Sequence, residues 1–354
     1  MKTSVPVNRF CSLPAMRTIA AVIAVFVGVT TPGAHAATFD WVTVGDAGNA
    51  PDTTGYGAVG YEYRIGKYEV TIQQYTDFLN AVAQSDPYSL WNASSASDLN
   101  IAGISRSGAS GEYTYSVIGP SGITPTGASS PGHRPITYVS WFDAARFSNW
   151  MQNGQGAGST ETGAYTLNGA TSGDAPARNG GAMFYIPTEN EWYKAAYYRS
   201  GGTNAGYWDY ATQSDSLPDN EIGGGVNQAN YRENSTNSFS VTQSVVYSPI
   251  QNYLTDMGAF TSSASAYNTF DQNGNVWEWN DLAGTAGATR GVRGGGWDYD
   301  NEVGLSSSFR LAYNPSYENV SLGFRIVPEP STWVLGAVGI ACAGWGAFRR
   351  RKRA

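Results

Sequence analysis

Carboxylates, amides and tyrosines must carry whatever chemistry this chain performs, because thiols and imidazoles are almost missing from it. Its 354 residues include two cysteines, Cys11 and Cys342, and two histidines, His35 and His133. Cys11 and His35 fall near the N-terminus and Cys342 near the C-terminus, so the long stretch between them has no thiol and one imidazole. A cysteine nucleophile, an internal disulfide and a cysteine or multi-histidine metal site cannot be built from that stretch alone. His133 sits in the turn-rich Pro131-Gly132-His133-Arg134-Pro135, where packing or hydrogen bonding is its expected role. Arg290, Arg293 and Arg310 stand close in sequence to Asp298, Asp300 and Glu302, and structural ion pairs are their expected use. No carboxylate spacing singles out a glycosidase-like pair. Aromatic residues make up 13% of the chain, each expected in the core with carbohydrate stacking as the alternative.

The two ends say where this chemistry would take place. Lys2, Arg9 and Arg17, then the uncharged run Thr18 to Val29, then Ala34-His35-Ala36 form a secretory signal over 1–36. Signal peptidase is expected to leave a chain starting near Ala37. At the other end Pro328-Glu329-Pro330 precedes Thr332 to Phe348, 17 residues without a charge, and then Arg349-Arg350-Arg351-Lys352-Arg353. Seventeen is at the short limit for a spanning helix, and the cations would stay on the cytoplasmic side. The formal charge is −7; without the three cations of 1–36 and the five cations and Glu329 of 328–354, 13 cations face 27 acids. So acidic a body argues against nucleic acid, whose phosphates need clustered Lys and Arg. The 291 residues from Ala37 to Val327 are enough for one large core or two smaller ones.

Three helix starts can be read in that body. Thr71 with Gln74, Ser140 with Asp143 and Thr188 with Glu191 pair an N-cap hydroxyl with a side chain three residues on that reaches back. The helices are expected to run to about Ala83, Met151 and Tyr198. A strand is expected over Tyr61 to Val70, and short ones at Gly291 to Trp297 and Leu322 to Val327. Ser85 to Ser130 reads as Ser- and Gly-rich loops with short strands, and Asn153 to Gly181 as a Gly-rich loop. With no repeated βαβ unit, no phosphate-cradling glycine loop and no internal repeat, the pattern reads as α+β.

Six segments carry a resemblance. Tyr63 to Thr71, Pro135 to Ala144, Tyr185 to Trp192, Gly274-Asn275-Val276-Trp277-Glu278-Trp279, Arg293-Gly294-Gly295-Gly296-Trp297 and Leu322 to Val327 follow one another as in the formylglycine-generating enzymes. The chain resembles that family, also called sulfatase-modifying factor domains, over about Tyr61 to Val327. The resemblance implies a C-type-lectin-like fold with few helices, short strands and long loops. The tail resembles the PEP-CTERM sorting signal, which implies processing by an exosortase and transient anchoring in the inner membrane. The expected organisation is a signal peptide over 1–36, a lead-in over 37–60, the sulfatase-modifying-factor-like domain over 61–327 and the anchor over 328–354.

The family's active members oxidise a sulfatase cysteine with copper held by two cysteines. Here the first of those positions falls on Tyr299 and the second near Gly304, neither of which offers the soft thiolate that copper(I) takes. Copper is therefore not expected, and no formylglycine is expected to form. The single histidine also excludes the iron-and-histidine thiol oxygenases related to the family. A calcium site does carry over: the resemblance implies carboxylates from Asp271 and Glu278 with carbonyls of Gly274 and Val276, oxygen donors that calcium favours. The second calcium site of the family starts at a position matching Asn230, beside the Tyr231 carbonyl, but its later ligands do not align. Trp297, Asp298, Tyr299, Asp300 and Tyr313, around the lost copper position, are candidate ligand contacts, with Phe309 and Tyr317 further along. The expected function is an exported, non-catalytic binding or interaction module for an envelope polysaccharide or protein. The alternatives are an oxidoreductase or other metal enzyme with an unconventional site, and a structural component of the extracellular matrix.

Overall fold

All three reciprocal caps form in the computed structural model, which describes Met1 and residues 36–119, 130–299 and 302–329. In chain order the strands and helices are β1 (Trp41–Val44), β2 (Tyr63–Gly66), α1 (Ile72–Val82), α2 (Ser94–Ser97), β3 (Ile104–Ser107), β4 (Thr114–Val117), α3 (Trp141–Gln152), β5 (Phe184–Tyr185), α4 (Glu189–Tyr197), β6 (Trp277–Asn280), β7 (Arg290–Arg293), β8 (Leu311–Tyr313), β9 (Leu322–Phe324) and β10 (Val327–Pro328). Thr71, Ser140 and Thr188 each accept from the N3 amide of α1, α3 and α4, while Gln74, Asp143 and Glu191 return the bond to the cap. Among the described residues no strand exceeds four residues, which leaves the architecture α+β with long loops. Residues 2–35 of the expected signal peptide, residues 120–129, Asp300, Asn301 and the tail from Pro330, including the apolar run Thr332 to Phe348, lie outside the described residues. Among the described ones no helix is long and apolar enough to cross a membrane.

The main sheet has the order β8-β7-β6-β9, antiparallel except for the parallel β6–β9 pair. Two-residue alternation divides its side chains. The register places Trp277, Trp279, Val292, Leu311, Tyr313 and Leu322 on one face, with Glu278, Arg293 and Gly323 on the other. Helix α3 is buried on every side from Trp141 to Met151, and Phe147 packs edge-on against both Phe78 of α1 and Phe324 of β9 at 5.3 and 5.4 Å. Such rings bury large apolar areas.

Three expectations change. The long strand from Tyr61 shortens to β2 because its flanking amides find other partners: Lys67 N–H donates to the Asp40 carbonyl and Val70 N–H to Phe324. The lead-in over 37–60 contributes β1, paired with β2 from Trp41 opposite Gly66 to Val44 opposite Tyr63, so the domain begins ahead of residue 61. β7 stops at Arg293 because Gly294 and Gly295 take φ of +102° and +83°, outside the β region.

Candidate functional site

Neighbouring residues of β6 serve two different places, one on each face of the sheet. On the buried side, Glu278 is fully enclosed and both of its oxygens are engaged. Arg325 donates from Nε and Nη2 at 2.5 Å each, and Trp192 Nε1 donates at 2.7 Å. Arg325 also donates to the carbonyls of Gly66 and Phe270, so the guanidinium ties together the chain after β2, the loop before β6 and the end of β9.

Beside this pair lie two more buried carboxylates. Asp271, at φ 61°, accepts the Gly258 amide at 2.6 Å, and burial pushes its carboxyl up to about 6. Glu69 is 3% exposed, and neither of its oxygens has a hydrogen-bond partner. Burial raises it well above the usual carboxylate range; Asp271 and then Glu278 add to the shift, and Arg325 opposes it. Three carboxyls thus share one guanidinium among buried side chains, where an unpaired charge is costly. A hard cation at Glu69 and Asp271 would settle that imbalance, and oxygen donors of this kind suit calcium. Among the described residues no three acidic, His or Cys side chains form a metal-binding group, so such a site needs backbone carbonyls as well. Glu278 fits less well than Asp271 as a primary ligand, because its oxygens already face Arg325 and Trp192. Glu69 escaped the reading of the sequence, although a lone acid between Tyr68 and Val70, entering a buried turn, was the signal for it.

Gly274 is required where it stands: at φ +80°, a Cβ would come within 2.2 Å of the Asn230 carbonyl. Asn230 itself is a structural clamp. Its amide donates to the Tyr253 carbonyl at 2.9 Å and to Asn275 Oδ1 at 3.1 Å, and its carbonyl accepts the Asn275 amide at 2.7 Å. The Tyr231 hydroxyl donates to the Pro218 carbonyl. These bonds make Asn230 a joint between two loops, through its side-chain nitrogen and its backbone carbonyl.

On the opposite face of β6 lies a cleft of ≈ 150 Å³, lined by Trp277, Asp298, Tyr299, Tyr313, Tyr317 and Asn319 over a floor of Val292, Leu311 and Leu322. Trp277 and Tyr299 meet edge to face at 5.1 Å, and Tyr313 and Tyr317 stack at 4.6 Å with 27° between the rings. Asn319 donates to the Tyr317 hydroxyl at 2.9 Å. The tertiary structure brings Asp298, Tyr299 and Tyr313 together as expected and adds Trp277 and Asn319, which sequence spacing did not reveal. Trp297 is corrected to a core residue: it is 3% exposed and stacks on Tyr253 at 4.9 Å with 4° between the rings, away from the cleft. Asp300 lies outside the described residues. At the position of the family's thiolates, a Cβ on Gly304 would come within 2.7 Å of the Tyr299 ring and 3.1 Å of the Trp277 ring. Tyr299 therefore fills the space that a second thiol would need.

The arginines form ion pairs, but with Glu189 and Asp281, which corrects the expected pairing with Asp298 and Glu302; Asp300 lies outside the described residues. Glu189 pairs with Arg293 and Arg310 at 2.8 Å, and Asp281 with Arg290 at 2.8 Å. His133 works through its backbone, whose carbonyl accepts the Met257 amide.

A four-stranded sheet with one ion-paired and one aromatic face, reached through three capped helices and long loops, defines a module of the sulfatase-modifying class. The chain belongs to the Sulfatase-modifying factor enzyme 1-like domain family, whose pattern matches residues 29–330. Residues 327–352 match the PEP-CTERM protein-sorting motif, so the protein is exported and associated with the cell envelope. No curated protein matches the chain. Among solved structures, Treponema denticola variable protein 1 is 17% identical over 82% of this chain and 95% of its own, with a TM-score of 0.45. CarF is 20% identical over 83% and 99%, at 0.42, and PvdO from Pseudomonas aeruginosa 15% over 82% and 92%, at 0.40.

Proposed function

We propose that this exported protein is a non-catalytic binding module that takes a neutral saccharide chain into the aromatic cleft beside β6. The observation that carries the reading is the Tyr299 ring packed against Gly304 and Trp277, at the place where the family's oxidases hold copper. No thiolate can form there, so formylglycine chemistry has no metal to work with. What remains is a wall of rings with hydroxyl and amide groups at its rim. Tyrosine and tryptophan offer flat apolar faces to sugar rings, and their polar ends suit sugar hydroxyls. The lining residues include Asp298 and no lysine or arginine. That charge balance favours a neutral or amino sugar over a uronate or a sulfate ester. A protein ligand is the second class such a cleft would admit.

Calcium belongs to this reading as the ion that neutralises Glu69 and Asp271, with the Gly274 and Val276 carbonyls completing its shell and Glu278 held beside it by Arg325. Because Glu278 and Trp277 are consecutive in β6, an ion on one face would stiffen the strand that floors the other.

The test uses the exported protein and exopolysaccharide from its source cells, separated into neutral and anionic fractions, each titrated with calcium and again with chelator. Saturable binding to the neutral fraction, weakened by chelator and by Tyr313→Ala, is the expected result. No binding to either fraction by protein shown to be folded would sink it. A sulfatase-derived cysteine peptide incubated with the same protein should stay unoxidised; formylglycine in it, absent from a control without the protein, would restore the oxidase reading.

A further inference from the structure

The last described residues of the chain are part of the fold and not a linker. Strand β10 pairs antiparallel with β5, Val327 opposite Tyr185 and Pro328 opposite Phe184. The ladder continues one residue further, with the Glu329 amide donating to the Met183 carbonyl at 2.7 Å. Val327 is fully enclosed, Pro328 is buried and Glu329 is half-buried. Immediately upstream, the Ile326 carbonyl accepts the Gly66 amide at 2.9 Å and the Phe324 carbonyl accepts Val70, also at 2.9 Å. Pro328 and Glu329, the first two residues of the Pro-Glu-Pro that opens the sorting motif, are thus fastened to the domain that the motif delivers.

Proteases cut chain that is exposed and unpaired, or that opens locally. From Leu322 to Glu329 the chain offers neither, being paired in β9 and β10 or bonded between them. A cut ahead of Val327 would also strip β10 from β5, uncover Tyr185 and leave the Met183 carbonyl without its donor. We propose that the processing cut falls on the C-terminal side of Glu329, so that the mature protein keeps Val327–Glu329 as the closing strand of its domain. The step is hydrolysis of one peptide bond beyond Glu329. Water adds its oxygen to the carbonyl carbon, the C–N bond breaks, and the nitrogen leaves as the protonated amine of the tail fragment.

The test is made on the full chain expressed in cells that process this motif. The released, folded protein is measured by intact mass and by its C-terminal peptide. A terminus at or after Glu329, within a peptide containing Val327-Pro328-Glu329, is expected. A terminus at Pro328 or earlier, or a chain that retains its whole tail, overturns the assignment. Hydrogen exchange on the purified full-length chain tests the clamp separately. The Glu329 amide should exchange at least about 100-fold more slowly than an unstructured amide, as ladder amides do; unprotected exchange there removes the basis of the proposal.

Discussion

Glu69 and Gly304 make the two candidate places what they are, one by an unmet charge and the other by a missing side chain. If a calcium ion meets the charge on Glu69 and Asp271, binding stabilises the folded state, by about 2.7 kcal/mol when the ion stands at 100 times its dissociation constant. The thermal midpoint should therefore rise with calcium and fall with chelator, and Glu69→Gln should abolish that difference while leaving a folded protein. A midpoint indifferent to calcium in the parent would remove the ion from the site. At the lost copper position, Gly304→Cys alone pushes a Cβ into the Tyr299 ring and should cost about 1–3 kcal/mol in urea unfolding. Adding Tyr299→Cys removes that ring, so the two changes should be non-additive by about 0.5–3 kcal/mol. Only the double variant should take up copper(I); uptake by the parent would contradict the soft-ligand argument.

At the scale of elements, the caps explain why three helices were legible before any coordinates. Each is a local device, written within four residues, and needs no distant partner to be recognised. The tertiary structure adds burial, which changes what the caps do electrically. Asp143, the cap partner of α3, is 4% exposed. Burial first, then the charge of Glu318, pushes its carboxyl up to about 8, while the Ser140 hydrogen bonds and Arg146 pull the other way. A carboxyl whose folded value lies above its unfolded one binds its proton more tightly in the folded state. Its contribution to stability is therefore complete below about 3.8 and is lost as pH rises from there towards 8. The unfolding free energy from urea titrations should fall across that window with a slope from this group of at most about 1.4 kcal/mol per pH unit. Asp143→Asn should flatten that part of the slope, and an unchanged slope would show that Asp143 stays ionised.

The whole molecule is closed by pairings between distant segments. β1 and β2 are joined to the 324–326 segment, β5 is covered by β10, and β6 lies parallel to β9 more than 40 residues on. Loop-closure entropy must be met before such contacts form, so refolding should be slow, in milliseconds to seconds or beyond. A chain ending at Arg325 loses β10 and should fail to show a cooperative unfolding transition, whereas one ending at Glu329 should unfold like the full domain. Equal transitions for the two would mean that β10 is dispensable.

What the sequence by itself determined is whatever depends on residue supply or on a few neighbouring positions. The scarcity of thiols and imidazoles between the two ends argued against the family's oxidase chemistry, the caps marked α1, α3 and α4, the ordered motifs pointed to the family, and the two ends pointed to export. Asp298, Tyr299 and Tyr313 were within reach because they surround one motif. Tertiary structure alone decided that Trp297 turns into the core while Trp277 faces the cleft: Trp277 is aimed by its place in β6, whereas Trp297 follows the left-handed glycines that end β7. It also decided that Glu69, some 200 residues before Asp271 and Glu278, shares their buried space. Electrostatic proximity across the fold leaves no mark in local spacing, because the charges meet only after β2, β6 and β9 have been brought together.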